Sequence, residues 1–172
     1  MAITIAAAGD EVMGNQTILG IAEDAATAPA KFLKLVDVID VPDDVVGEYQ
    51  TVDRTNLTNR ARTSKPGLQD NSGAKNFTVR FSASKYDEIN DLSKDDTTYW
   101  FRLFIGGPTE DPEEPADGTE IEADADGWGK DGMLTFKGMM KIRMNGITVG
   151  EYIEATLSIY MENEPVFEIP ST

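Results

Sequence analysis

Residues 133 to 160 read "MLTFKGMMKIRMNGITVGEYIEATLSIY", two alternating apolar and polar runs joined at Asn145-Gly146. Alternation with a period of two marks strands with one buried face, and Asn-Gly is the favoured pair for a two-residue type I′ hairpin turn, in which both residues take positive φ. Such a turn fixes the register, because each pair follows by counting outward. It sets Met144 opposite Ile147, Ile142 opposite Val149, Gly138 opposite Ile153, Phe136 opposite Ala155 and Leu134 opposite Leu157. The other face then holds Arg143 with Thr148, Met139 with Tyr152, Thr135 with Thr156, and Lys137 with Glu154 as a cross-strand charge pair. Glu151, opposite Met140, breaks the pattern and is expected near an edge or an interface.

The same alternation predicts further strands over 16–23, 31–40, 47–53, 75–83 and 97–105, with the hairpin arms at 133–144 and 147–162 and a short last strand at 166–169. In the 75–83 strand, Phe77, Val79 and Phe81 face inward and Thr78, Arg80 and Ser82 outward. One helix is expected over about 84–94. Ser84 starts it by capping the Asp87 amide, and Tyr86, Ile89 and Leu92 share a face. The expected fold is mostly β, a β-sandwich or split β-barrel with one short flanking α-helix and long loops, in a single domain spanning 1–172. Residues 1–15 form a mobile arm in this reading. Residues 107–126 carry nine carboxylates, no base and three prolines, the composition of a mobile acidic loop leading into a weak strand near Thr119 to Ala123.

Composition removes most chemistry. The 172 residues include no cysteine and no histidine, so there is no disulfide, no thiolate nucleophile, no Cys-based zinc site and no imidazole base or ligand. No catalytic residue, cofactor or metal is expected, and the chain reads as non-enzymatic. No apolar run approaches the roughly 20 residues of a membrane span, and the apolar run from Ile3 to Ala8 lacks the basic flank and length of a signal peptide, so neither membrane insertion nor export is expected. The net charge of −16 opposes binding to nucleic acid, whose phosphates require a basic surface.

Four clusters carry residue types that could form a site. Glu122, Asp124 and Asp126 followed by Gly127 resemble the start of a calcium loop, but Met133 stands where the closing bidentate Glu belongs, and a solvated acidic turn is the better reading. The pairs Asp43-Asp44 and Glu113-Glu114 sit in Pro- and Gly-rich loops, where hydration leaves no cause for acid-base tuning. The aromatic residues Tyr99, Trp100, Phe101 and Phe104, and Met139, Met140 and Met144, suit a ligand strip or, more commonly, core and subunit interface. Finally, eight of the 15 bases fall between 54 and 94: Arg54, Arg60, Arg62, Lys65, Lys75, Arg80, Lys85 and Lys94. In so acidic a chain their natural partner is the acidic surface of another copy, a heterologous contact that builds rings or filaments.

"TVDRTNL" at 51–57, the arginine-bearing stretch after it, "GLQDNSG" at 67–73, the strand "FTVRFSA", the helix "KYDEINDL", the strand "TYWFRLFIGGP", a Gly/Asp-rich loop, "FKGMMKI" and "EATLSIYMENEPVFEI" follow one another in an order that resembles the tail tube (major tail) proteins of long-tailed bacteriophages, over residues 16 to 169. That family is related in plan to the Hcp tubes of type VI secretion systems. The resemblance implies a structural virion protein, made in the bacterial host cytoplasm, whose hexameric rings close a continuous inner barrel and stack into a tail tube. The tube surrounds a tape-measure protein, meets tail terminator and baseplate proteins, and passes DNA through an electronegative lumen without binding it specifically. On this reading Arg54, Arg60, Arg62 and Lys65 contact acids of a neighbouring copy, with Glu110, Asp111, Glu113 and Glu114 of the acidic loop as the candidate counterpart or as part of an outer flap. The alternative is a non-catalytic carbohydrate- or host-binding β-sandwich using Tyr99, Trp100 and Tyr152 as a platform.

Overall fold

The structure, a computed structural model, describes residues 17–46, 48–53, 64–70, 73–108, 115–123, 127–147, 149–150 and 153–170, with the backbone alone for 48–53 and 64–70. The alternating runs become β1 (Ile18–Ala22), β2 (Phe32–Asp40), β3 (Glu48–Asp53), β5 (Ala74–Arg80), β6 (Thr98–Ile105), β8 (Gly132–Met144), β9 (Glu154–Met161) and β10 (Val166–Glu168). The weak strand at the end of the acidic loop is β7 (Glu120–Ile121). One strand was not expected. β4 (Ser64–Asp70, "SKPGLQD") pairs with β3 as a separate two-stranded sheet, although Pro66 and Gly67 conceal any strand pattern.

The remaining strands form one antiparallel sheet in the order β1-β6-β8-β9-β5-β2, and β1 also pairs with β2, which closes the path into a six-stranded barrel. Side chains on the first face align across strands. Leu19, Leu103 and Leu134 are register partners, as are Ile21, Phe101 and Phe136. Phe101 and Phe136 stack at 5.8 Å and Phe77 and Phe136 at 6.2 Å. Each fully buried Leu or Phe contributes roughly 1.5–3 kcal/mol of transfer free energy, and this cluster adds Leu35, Val79, Met140, Leu157 and Ile159, all buried. The helix α1 (Ala83–Leu92) contributes Ile89 to it. Its N-cap is Ser82 rather than Ser84, with the Tyr86 amide donating to the Ser82 carbonyl at 2.8 Å. The Ser82 hydroxyl meets the Ser84 hydroxyl at 3.1 Å and caps no amide.

The strands' second face is buried at one end only. Ile18, Phe104 and Met133, register partners across β1, β6 and β8, form a smaller cluster with Phe32 and Ile121. Here the barrel is split. β7 takes the edge of β2 at Phe32 and Leu33, while β10 takes the edge of β8 at 133–135, continuing along the line of β9 after the interruption at 162–165. Glu162 donates its amide to the Lys137 carbonyl at 2.8 Å, and the Lys137 amide donates to Asn163 Oδ1 at 2.6 Å, which holds that interruption in place.

The hairpin differs from its expected form. Met144 faces Ala155 in place of Ile147, a displacement of eight residues. Asn145 and Gly146 both lie outside the positive-φ region, and the chain turns back through a longer connection that includes Gly150 at φ +92°. An even displacement keeps Ala155, Leu157 and Ile159 on the core face with changed partners, whereas Ile147 and Val149, expected in the same buried row, lie in the connection before β9 and are exposed. The expected Lys137–Glu154 pair is therefore absent: Lys137 contacts Asp24 at 2.6 Å and Glu154 lies opposite Arg80. Met140, expected opposite Glu151, is paired with Ile159 in the core.

Candidate assembly surfaces

The expected contact residues lie mainly outside the described residues: Arg54, Arg60 and Arg62 on the basic side, Glu110, Asp111, Glu113 and Glu114 on the acidic side. Lys65 is placed by its backbone alone, opposite Val52 in the β3–β4 ladder.

It does place the other half of the basic segment, and those side chains are engaged within the chain. Lys75 follows the inward row of Phe77 and Val79, is buried, and its ammonium donates to Asp44 Oδ2 at 3.0 Å. Lys85 contacts Glu88 at 2.6 Å and Asp117 at 3.6 Å. Lys94 pairs with Asp91 one helical turn away, and that hydrogen bond raises its pKa above the ordinary lysine value. Arg80 sits opposite Glu154 on the outer face of the β5–β9 ladder. These contacts explain part of the clustering as internal charge pairing.

The returning limb of the acidic loop is tied to β2. The Gly118 amide donates to the Lys34 carbonyl and the Lys34 amide to the Thr119 carbonyl, both at 2.8 Å. The buried Lys34 ammonium lies 2.7 Å from Asp37 Oδ1, off the hydrogen-bonding direction, and 3.7 Å from Asp117. Lys31 is bound by Glu120 and Glu122, hydrogen bonds that raise its pKa. Glu122, the first residue of the candidate calcium loop, is thus an ion-pair partner. Asp124 and Asp126 lie outside the described residues, Met133 is a buried core residue, and no three acidic side chains converge as a metal site among the described residues. Asp44 of the Asp43-Asp44 pair serves Lys75, and Glu113-Glu114 lies outside the described residues.

The aromatic residues do not form one strip. Tyr99 packs against the first core with its hydroxyl donating to the Leu92 carbonyl at 3.3 Å. Its neighbour Trp100 packs against the second cluster, its indole donating to the Ala25 carbonyl at 2.9 Å. Successive strand residues face opposite ways, so the two rings cannot share a platform. Tyr152 lies outside the described residues. Phe101 and Phe104 are wholly buried.

Sequence reasoning missed two buried cations, Lys34 and Arg102. Arg102 donates from Nε to Thr135 Oγ1 at 2.9 Å and lies 4.4 Å from the Phe32 ring centre. Burial lowers its pKa, against the attraction of Glu168. The available signal was a single charge inside the apolar run "TYWFRLFI".

Besides the exposed Leu33, Ile39, Val46 and Tyr160, exposed apolar side chains gather at the two ends of β8. At the far end of β8, Met144, Ile147 and Val149 are exposed, Val149 at 98%. At the near end, Val166, Phe167 and Ile169 are exposed on β10 and just beyond it. Between β7 and β10 lies an open cleft of about 530 Å³ whose described lining is Ala123, Met133, Glu168, Ile169 and Pro170. Its described walls combine the side chains of Ala123, Met133, Ile169 and Pro170 with the Glu168 carboxylate and exposed backbone. Comparison with the models of known protein families and with curated proteins finds no match to this chain.

Proposed function

We propose that this protein is a structural virion component, a tail tube subunit that assembles into hexameric rings stacked around an electronegative channel for DNA. The carrying observation is the separation of β3 and β4 from the barrel ladder: among the described residues, the strands that flank Arg54, Arg60 and Arg62, and include Lys65, pair only with each other. An element outside the closed barrel is available for contacts with other copies at no cost to the core. The charge balance supports the same reading. Lys75, Lys85 and Lys94 are engaged within the chain, and in this reading the bases at 54–65 are the ones that meet a neighbour's acids. A chain of net −16 also offers DNA no basic path on which to stick.

In this reading the protein works by geometry and surface charge, in the virion tail, with other copies of itself and the tape-measure, terminator and baseplate proteins as partners. Negative-stain electron microscopy of the purified protein at low and high salt tests it. Hollow rings or tubes with sixfold top views are expected. Discrete compact particles at every salt concentration, with or without the other tail proteins, would overturn it.

A further inference from the structure

The two exposed apolar surfaces lie at opposite ends of one strand. β8 runs 13 residues from Gly132, beside the β7–β10 cleft, to Met144 at the hairpin tip. At about 3.3 Å per residue that separation reaches roughly 40 Å. At the tip Ile147 and Val149 stand open, and at the other end the Phe167 ring lies over Gly132 with its outer side exposed beside Ile169. Val149 is 98% exposed and Ile147 62%, while Phe167 is 56% and Ile169 69%. Side chains this apolar and this open mark contact sites.

We infer that the β8–β9 hairpin tip of one copy seats in the cleft between β7 and β10 of a second copy, so that copies join head to tail along β8. This rests on the self-assembly reading above and adds to it the surfaces that meet. Ile147 and Val149 supply the apolar insert, and Ala123, Met133, Ile169 and Pro170 the receiving wall. The charges agree with that polarity. Arg143 is exposed beside Met144 at the tip, and Glu168 lines the cleft. A tip-to-tip contact would instead bring Arg143 against Arg143 and leave the cleft open. A cleft-to-cleft contact would oppose two copies of Glu168. Only the head-to-tail arrangement covers both apolar surfaces and pairs opposite charges, and it is a heterologous contact, which propagates.

The strand edges point the same way. Among the described residues the outer edge of β10 pairs with no strand, and Val166, Phe167 and Ile169 are exposed along it. A free edge can pair with another chain. Pro165 and Pro170 bracket it, so only the few residues between them can pair.

The absence of cysteine gives a direct test. Single variants Val149→Cys and Ile169→Cys are oxidised alone and as a mixture, and the double variant V149C/I169C is oxidised by itself, in salt where the parent chain sediments as assemblies. A disulfide requires Cα atoms within about 4.4–6.8 Å, so only true neighbours link. The expected result is no dimer from either single variant, a mixed dimer from the mixture, and a ladder of linked multimers from the double variant. Dimers of V149C with itself would overturn the proposal in favour of a tip-to-tip contact. Sedimenting assemblies that stay unlinked in the mixture would overturn it while leaving self-assembly standing, and a single monomeric species in all salts would remove both. As a second readout, Val149→Asp should raise the protein concentration needed for assembly at least tenfold with the urea midpoint unchanged. An unchanged assembly threshold would place the contact elsewhere.

Discussion

Lys75 and Gly138 show how much single residues carry in this barrel. Lys75 is buried at the end of the inward row of β5, and its charge is answered by the half-exposed Asp44. Removing one partner of a buried pair leaves the other charge without compensation, whereas replacing the cation by an apolar group removes the problem. Asp44→Asn is therefore expected to cost about 2–3 kcal/mol, somewhat under the fully buried case because solvent reaches Asp44, and Lys75→Met to fall within about 1 kcal/mol of the parent. Urea unfolding midpoints at constant m decide between them; equal losses in both would show that the pair is stabilising as such. Gly138 is constrained by backbone. A Cβ there would run onto the Tyr160 carbonyl oxygen across the β8–β9 ladder, a group that cannot move without breaking the sheet. Gly138→Ala should cost about 1–3 kcal/mol by overpacking, measured by the same midpoint shift. Neither residue announces itself in the sequence. Lys75 looks like one member of a basic cluster, and Gly138 like a gap in an apolar row.

At the scale of elements, what was legible was the alternation, and what was not was the pairing. Leu134, Phe136 and Met140 stand on the core face as their spacing requires, and so do Phe77 and Val79. The register is not legible because a period of two is indifferent to any even slip: Met144 opposite Ile147 and Met144 opposite Ala155 both turn Ala155, Leu157 and Ile159 to the core, and only the observed pairing leaves Ile147 and Val149 outside it. Asn-Gly permits a tight turn without requiring one. β4 was invisible because its pairing with β3 depends on backbone hydrogen bonds, with Pro66 and Gly67 in place of an apolar row. The observed turn predicts which glycine matters. Gly146 lies outside the positive-φ region with open space around its Cα, so Gly146→Ala should be neutral or stabilising by up to about 1 kcal/mol through the unfolded chain. Gly150 sits at φ +92°, also in open space, so Gly150→Ala is opposed by backbone strain alone, roughly 1–3 kcal/mol. Thermal unfolding of the two variants compares the turns directly. If Gly146→Ala were the damaging change, the chain would be turning at Asn145-Gly146 after all.

For the whole molecule the governing quantity is charge. With 31 acidic against 15 basic side chains, every copy repels every other at long range, and association must rest on short-range apolar contact and local pairs of opposite sign. The composition alone made this half of the assembly argument readable. The apolar half was not, because Ile147, Val149, Phe167 and Ile169 read as ordinary strand residues until the register and the split of the barrel left them outside. The two forces respond oppositely to salt. Raising ionic strength from 0.01 to 0.15 M shortens the screening length from about 30 to about 8 Å, which removes most of the repulsion between whole subunits while leaving apolar contacts intact. Assembly should therefore strengthen with salt, the assembled fraction in sedimentation velocity rising over that range and holding at 1 M. The double charge reversal R60E/R62E should leave a folded monomer that does not assemble at or below 0.15 M salt, because it replaces attraction by repulsion at the proposed basic contact. Association that weakened steadily with salt would mean that ion pairs, and not the apolar ends of β8, hold the copies together.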